Sequence, residues 1–187
     1  MHRLRYLLPF LLVASLASGA VELRSPNGDL VLTVEVGELD SVPGSPYYSL
    51  TYRGRELITE ARLGLAFNPE KPADRVDKSV FESYDLSGHA ITTLDDTWRP
   101  VYGERSVVRN HYNELRVDLT PARNVPCGMT LTFRAYDNGI ALHYGLHRVN
   151  EDGPADVAVF AERTEFRFPT MPTAWCTTRA QSEYAAL

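Results

Sequence analysis

From Leu30 onward the chain alternates apolar and polar residues with a period of two, and beyond residue 20 no stretch carries apolar residues at i, i+3, i+4 and i+7. Successive side chains of a strand point to opposite faces, whereas a helix buries a stripe with period 3.6, so this pattern selects half-buried strands. After the turn signal Asn27-Gly28-Asp29, the residues Leu30, Leu32, Val34 and Val36 share one face, and Val31, Thr33 and Glu35 share the other. Tyr48, Leu50 and Tyr52 alternate with Ser49 and Thr51, and Arg53-Gly54 turns the chain into Glu56-Leu57-Ile58. Leu63, Leu65 and Phe67 form a short run stopped by Asn68-Pro69. Leu115, Val117 and Leu119 alternate up to Pro121, which is expected to end that strand. The clearest hairpin places Met129, Leu131, Phe133 and Ala135 before the turn Asp137-Asn138-Gly139, and Ile140, Leu142, Tyr144 and Leu146 after it. Residues 157–160 and 165–168 are further strand candidates. Glycines and prolines fall mostly between these runs, and no internal repeat is present. The expectation is an all-β protein of antiparallel sheet packed on sheet; pattern alone leaves a closed barrel open.

The first twenty residues follow another logic. Arg3 and Arg5 precede the apolar run from Tyr6 to Leu16, and Ser18-Gly19-Ala20 supplies small residues for cleavage. This is the pattern of a secretory signal peptide, and the run is shorter than the roughly 20 residues that span a bilayer. Residues 1–20 are therefore read as a signal and residues 21–187 as one β domain, long enough to bury its own core. Cleavage takes the net charge from −5 to −7. The mature chain is expected in the periplasm or outside the cell, without membrane attachment, and its acidity argues against a nucleic-acid partner.

Few residues announce chemistry. Asp95-Asp96 is a carboxylate pair; on a strand the two would face opposite ways and could not share one substrate, in a loop they could bind a cation, and the stronger reading is a solvated turn before Trp98. His143 and His147 share one side of a strand but lie about 13 Å apart, too far to share a metal; His111 could join one of them only through the fold. Cys127 and Cys176 are permitted a disulfide by compartment, and spacing does not decide it. No nucleophile elbow and no phosphate-binding glycine loop occurs. The densest segment is residues 97–115, which sets Trp98, Tyr102 and Tyr112 among Arg99, Arg105, Arg109, Asn110, His111, Asn113 and acidic residues. Aromatic rings beside planar amide and guanidinium groups suit a sugar, a domain interface, or a structural loop with ion pairs.

This same segment, TWRPVYGERSVVRNHYNEL, resembles the signature of the N-terminal domain of glycoside hydrolase family 97, a group of exported bacterial α-glucosidases and α-galactosidases. Ser25-Pro26-Asn27-Gly28, Arg62-Leu63-Gly64-Leu65, the hairpin Phe133-Arg134-Ala135-Tyr136-Asp137-Asn138-Gly139-Ile140-Ala141 and Thr173-Ala174-Trp175 are similar to family landmarks in the same order. The resemblance implies a β-sandwich of the galactose-mutarotase-like type, which the chain leaves incomplete at its C-terminus. It further implies that the catalytic carboxylates belong to a (β/α)₈ barrel absent from this chain, since such a barrel needs about 250 residues. The domain would pack against that barrel and wall one side of a pocket for an α-glucoside or α-galactoside. Gln181-Ser182-Glu183-Tyr184 is similar to the family segment that supplies one active-site calcium ligand, which makes Glu183 the metal candidate. The substrate or interface candidates are Trp98, Tyr102, Arg109, Asn110, His111, Tyr112 and Trp175. The alternative is a free-standing carbohydrate-binding module with Trp98, Tyr102, Tyr112 and Trp175 as its platform, and a third reading is a sandwich that only mediates assembly. An incomplete sandwich leaves a sheet edge and an apolar face open, so the isolated chain is expected to aggregate or dimerise.

The signal reading makes one prediction. Protein exported from a bacterial host should begin at Val21 by N-terminal sequencing, and secreted protein still carrying residues 1–20 would contradict it.

Overall fold

The computed structural model describes residues 19–67, 83–123, 127–148 and 157–173. The ten strands among the described residues are β1 (Val21–Arg24), β2 (Leu30–Leu39), β3 (Val42–Tyr52), β4 (Arg55–Arg62), β5 (Leu65–Ala66), β6 (Ser83–Trp98), β7 (Val108–Arg123), β8 (Gly128–Tyr136), β9 (Gly139–His147) and β10 (Ala161–Glu162). Two four-stranded antiparallel meanders, β1-β2-β3-β4 and β6-β7-β8-β9, face each other, and β5 pairs with β10 beside them. Neither large sheet closes on itself, so the architecture is a sandwich and not a barrel.

Local chemistry sets the hairpins. Arg53 and Gly54 both have positive φ, 51° and 75°, and join Tyr52 to its partner Arg55 in a two-residue turn. Asp40 and Ser41 do the same between Leu39 and Val42, at 52° and 64°. Turns with two left-handed residues match the right-handed twist of the strands they connect. The β8–β9 hairpin turns through Asp137 and Asn138, with Tyr136 paired to Gly139. Asp137 Oδ1 also accepts the Asn27 backbone N–H at 2.8 Å, which ties this hairpin tip to the β1–β2 turn.

The alternating residues meet in one apolar layer. Val21, Leu23, Leu32, Val34, Tyr48 and Ile58 from the first sheet pack against Tyr84, Leu115, Val117, Leu119, Met129, Leu131, Phe133 and Ala135 from the second. The Tyr48 and Phe133 rings lie 6.5 Å apart across the layer. Burying each of the larger side chains contributes about 1.5–3 kcal/mol. Burial, with a smaller effect from Tyr144, pushes the Tyr48 phenol up to about 12. Its hydroxyl donates to the Glu165 carbonyl at 2.9 Å. Gly44 admits a close approach of the sheets: its φ is 67°, and a Cβ there would lie 2.2 Å from Ser83 Oγ.

Beside β4, Arg62 is buried and donates to Ser45 Oγ at 2.8 Å, to the Leu39 carbonyl and to Asp40 Oδ2 at 3.3 Å. Arg167 donates to the same Asp40 carboxylate and to Glu165 Oε2, so one salt-bridged group joins the β2–β3 turn, β4 and residues 165–167.

Several expectations need correction. Asp95-Asp96 is not a turn; both residues sit in β6, whose residues 89–98 are exposed on both faces. With no buried face there, nothing imposes a period-two pattern, and the strand left no sequence signal. Pro121 does not end its strand, which continues to Arg123. Among the described residues the pairing of β7 with β8 stops at Leu119, so Pro121, paired with Tyr84, lies where β7 has β6 alone beside it and next to a register shift, the kind of place where a strand admits proline. Neither candidate strand, 157–160 or 165–168, forms; the two residues that do join a ladder, Ala161–Glu162, lie between them. Residues 163–167 instead run extended along β4: Arg163 and Glu165 donate their backbone N–H groups to Gly64 and Arg62, and Thr59 donates to Arg167. Residues 1–18 of the expected signal segment 1–20, with Trp175, Cys176 and Glu183, lie outside the described residues. Cys127 is buried at the start of β8.

Two outcomes follow from this packing. Phe133→Ala should lower unfolding free energy by about 3–5 kcal/mol in urea titration, since Phe133 is enclosed from both sheets. The Arg167 hydrogen bond, followed in effect by the charges of Arg167 and Arg62 and opposed by burial, holds the Asp40 carboxyl below its ordinary value. A depressed native pKa stabilises the fold above the unfolded-state value, and that contribution is lost as pH falls through the native pKa. Asp40→Asn should therefore flatten the loss of stability below about pH 4, read from urea midpoints measured against pH.

Candidate functional site

The segment that stood out in the sequence is the distal half of the β6–β7 ribbon. Asp95 pairs with His111, Asp96 with Asn110, Thr97 with Arg109 and Trp98 with Val108, and residues 99–107 connect the strands. Because opposite residues of an antiparallel pair share a face, the ribbon sorts the candidates into two sets. Arg109 and His111 continue the row of Leu115 and Val117, on the side of the other sheet. Asn110 and Tyr112, with Asp96 and Leu94 across from them and Trp98 next along the same face, lie on the outer side.

On the inner side, Arg109 Nε and Nη2 each donate at 2.7 Å to the two oxygens of Asp95. This bidentate bond holds the Asp95 carboxyl below the usual range, with smaller contributions from the charges of Arg109 and His111 against slight burial. The same contact raises Arg109. Nearer the core, Thr93 Oγ1 donates to Asn113 Oδ1 at 2.7 Å, and Asn113 Nδ2 donates to the Arg24 carbonyl at 2.8 Å. These bonds tie the ribbon to β1.

On the outer side Tyr112 is only 7% exposed. Its ring centroid lies 5.3 Å from that of Tyr136, and the Arg134 guanidinium sits 4.6 Å above it. Arg134 Nε donates to Glu114 Oε2 at 2.6 Å, and Tyr136 Oη donates to Asn110 Oδ1 at 3.3 Å. Glu114, Thr132, Arg134, Ala141, Leu142 and His143 line a depression of about 450 Å³ on this face. Trp98 and Tyr102 are 54% and 89% exposed, at the end of β6 and in the connecting loop.

The candidates therefore do not form one aromatic platform. Tyr112 is an interior ring of the outer face, Arg109 is committed to Asp95, and Trp98 and Tyr102 are open. Trp175 and Glu183 fall outside the described residues. Arg134 and Tyr136 were missed as partners of this face; their signal was parity, since Tyr112 and Glu114 meet even-numbered positions of β8 once the register is known. His143 and His147 are exposed on the outer side of β9. Among the described residues no three His, Cys, Asp or Glu side chains gather where they could hold a metal.

Comparison with known proteins agrees with this architecture. The model of the family described as "Glycosyl-hydrolase 97 N-terminal" matches residues 23–186. A retaining alpha-galactosidase of Bacteroides thetaiotaomicron is 28% identical over 153 residues, which cover 81% of this chain and 19% of that protein. A glycoside hydrolase family 97 enzyme of Pseudoalteromonas sp. strain K8, solved in complex with panose, superposes with a TM-score of 0.64 at 21% identity, covering 80% of this chain and 20% of its own. The crystal structure of a beta-arabinopyranosidase gives a TM-score of 0.62 at 27% identity, covering 80% of this chain and 21% of its own. The chain thus spans about a fifth of the length of these relatives. With the family model matched over residues 23–186, this chain belongs to the glycosyl-hydrolase 97 N-terminal family.

Proposed function

We propose that the chain is the non-catalytic N-terminal sandwich of an exported family 97 α-glycosidase, packing against a catalytic barrel and walling one side of its sugar pocket. The observation that carries this reading is the match of the N-terminal family model over residues 23–186. The chemistry of the described acids supports it. Glycoside hydrolysis uses two carboxyl groups set across the scissile bond, and the acid member needs a raised pKa. Asp40 and Asp95 are held low by Arg167 and Arg109. Asp118, although burial pushes it upward, is held low by hydrogen bonds from Thr130 and Arg116. Each shift is opposite to what a general acid requires.

Calcium takes six to eight oxygen ligands. The described residues do not assemble such a set, because Asp40, Asp95 and Glu114 are committed to arginines. In this reading Glu183 lends one carboxylate to a calcium site completed by the barrel.

A second reading, a free-standing carbohydrate-binding module, is favoured by one observation: the outer depression walled by Glu114, Arg134 and His143, of which Arg134 also covers the Tyr112 ring.

Purified mature chain should show no turnover of p-nitrophenyl α-glucoside or α-galactoside above the buffer rate; turnover that copurifies with the chain would overturn the non-catalytic reading. Calorimetric titration with maltose and melibiose separates the two readings. No heat from a folded chain is expected, whereas micromolar to millimolar binding weakened by Arg134→Ala would establish the binding module instead.

A further inference from the structure

The sequence contains two Asn-Gly pairs, Asn27-Gly28 and Asn138-Gly139, and each falls at a turn. An asparagine before glycine is especially prone to lose its side-chain amide, because no Cβ on the next residue shields the backbone nitrogen that attacks it. The reacting groups of the two pairs are identical, so the fold decides which pair reacts.

Asn27 is held at both ends of its side chain. Its Oδ1 accepts the Ser25 hydroxyl at 2.7 Å and the Asp29 backbone N–H at 3.0 Å. Its Nδ2 donates to Asp29 Oδ2 at 3.5 Å. Its own backbone N–H donates to Asp137 Oδ1 at 2.8 Å, and the Gly28 N–H donates to the Ser25 carbonyl at 2.9 Å. Ser25 is itself buried, and its Oγ accepts the Leu30 N–H, so the whole turn is fixed to the start of β2. Such local side-chain bonds are the usual way an Asn locks a turn.

Asn138 is placed differently. It is the second residue of the two-residue turn between β8 and β9, and it is exposed. Among the described residues its side chain makes no hydrogen bond; Asp137 is the anchored member of this turn. Gly139 pairs with Tyr136, so at both sites the attacking nitrogen belongs to a turn and the side chain is what differs. Ring closure needs Cγ to come within about 3–3.5 Å of that nitrogen along the right line. Asn138 can rotate into that geometry, whereas Asn27 must first break its bonds to Ser25 and Asp29.

We propose that Asn138 is a site of self-modification, at which the folded chain deamidates while Asn27 is spared. The Gly139 nitrogen loses its proton to solvent and bonds to Asn138 Cγ. The Cγ–Nδ2 bond breaks, and the amide nitrogen takes up a proton from water and leaves as ammonia. Water then opens the cyclic imide at either carbonyl, which gives aspartate or isoaspartate at position 138. Both products set a second carboxylate beside Asp137. Isoaspartate also routes the main chain through the former side chain, which lengthens a turn across which Tyr136 and Gly139 pair. This inference does not rest on the glycosidase reading.

The test is peptide mapping by mass spectrometry of the mature chain after incubation in mildly alkaline buffer. One sample is kept folded, checked by cooperative melting, and a parallel sample is unfolded in guanidinium chloride. The folded chain should convert at Asn138 and keep Asn27, and the unfolded chain should convert at both. Hydroxylamine, which cleaves the cyclic imide, should cut the folded chain after residue 138 and not after residue 27. Gly139→Ala gives a second readout. A Cβ at Gly139 meets nothing within 4 Å, so the turn is kept while the methyl group shields the nitrogen, and most of the conversion at Asn138 should be lost. An intact Asn138 in the folded chain would overturn the proposal, as would equal conversion at Asn27 or conversion undiminished by Gly139→Ala.

Discussion

The dry layer between the two sheets is the constraint on which everything else rests. Residues of β7 and β8 that lose essentially all solvent contact, from Leu115 to Leu119 and from Met129 to Ala135, face the apolar side chains of β1, β2 and β3. Once those rows are buried, the register of β7 on β8 is no longer free, because a slip of one residue would turn every apolar side chain outward. The opposite rows are fixed at the same moment. Glu114 must lie beside Arg134, and Tyr112 falls next to Tyr136.

The candidate site is a by-product of that registration. The β6–β7 ribbon outruns the layer, and beyond Leu115 its two faces serve different ends. The inner face closes with the Asp95–Arg109 pair and with the bonds from Asn113 to β1. The outer face builds a stacked group around Tyr112. Exposed ion pairs such as Asp95–Arg109 add little stability, so their value here is geometric: they hold an extended ribbon in one shape without a core beneath it. The Arg62 group acts differently. Its guanidinium is buried, and leaving it without Ser45, Leu39 and Asp40 would cost much more than an exposed pair is worth.

Most strands with one face buried and the other wet were legible, β1 excepted, whose Val21–Arg24 is too short to show a period. The hairpin across Asp137-Asn138 and the strand beginning at Leu30 announced themselves by alternation, and Arg53-Gly54 by its turn chemistry. The distal half of β6 was illegible for the converse reason: water meets both of its faces. Residues 163–167 misled in another way, since they are extended but bond irregularly along β4. The aromatic and charged residues of 97–115 were recognisable as a group, yet not as two groups. The separation of Arg109 and His111 from Asn110 and Tyr112 depends on strand parity, which could be counted only after both strands were placed.

The sequence by itself determined the class of structure, the turns at Arg53-Gly54 and Asp137-Asn138 and the family, because alternation, turn residues and ordered motifs are local properties of the chain. Tertiary structure alone decided which neighbours meet: Arg134 over Tyr112, Arg62 with Asp40, and Asp137 with the Asn27 backbone N–H. Those contacts join residues distant in sequence, and their existence depends on the register and crossing of sheets, which only the burial of the whole apolar layer can select.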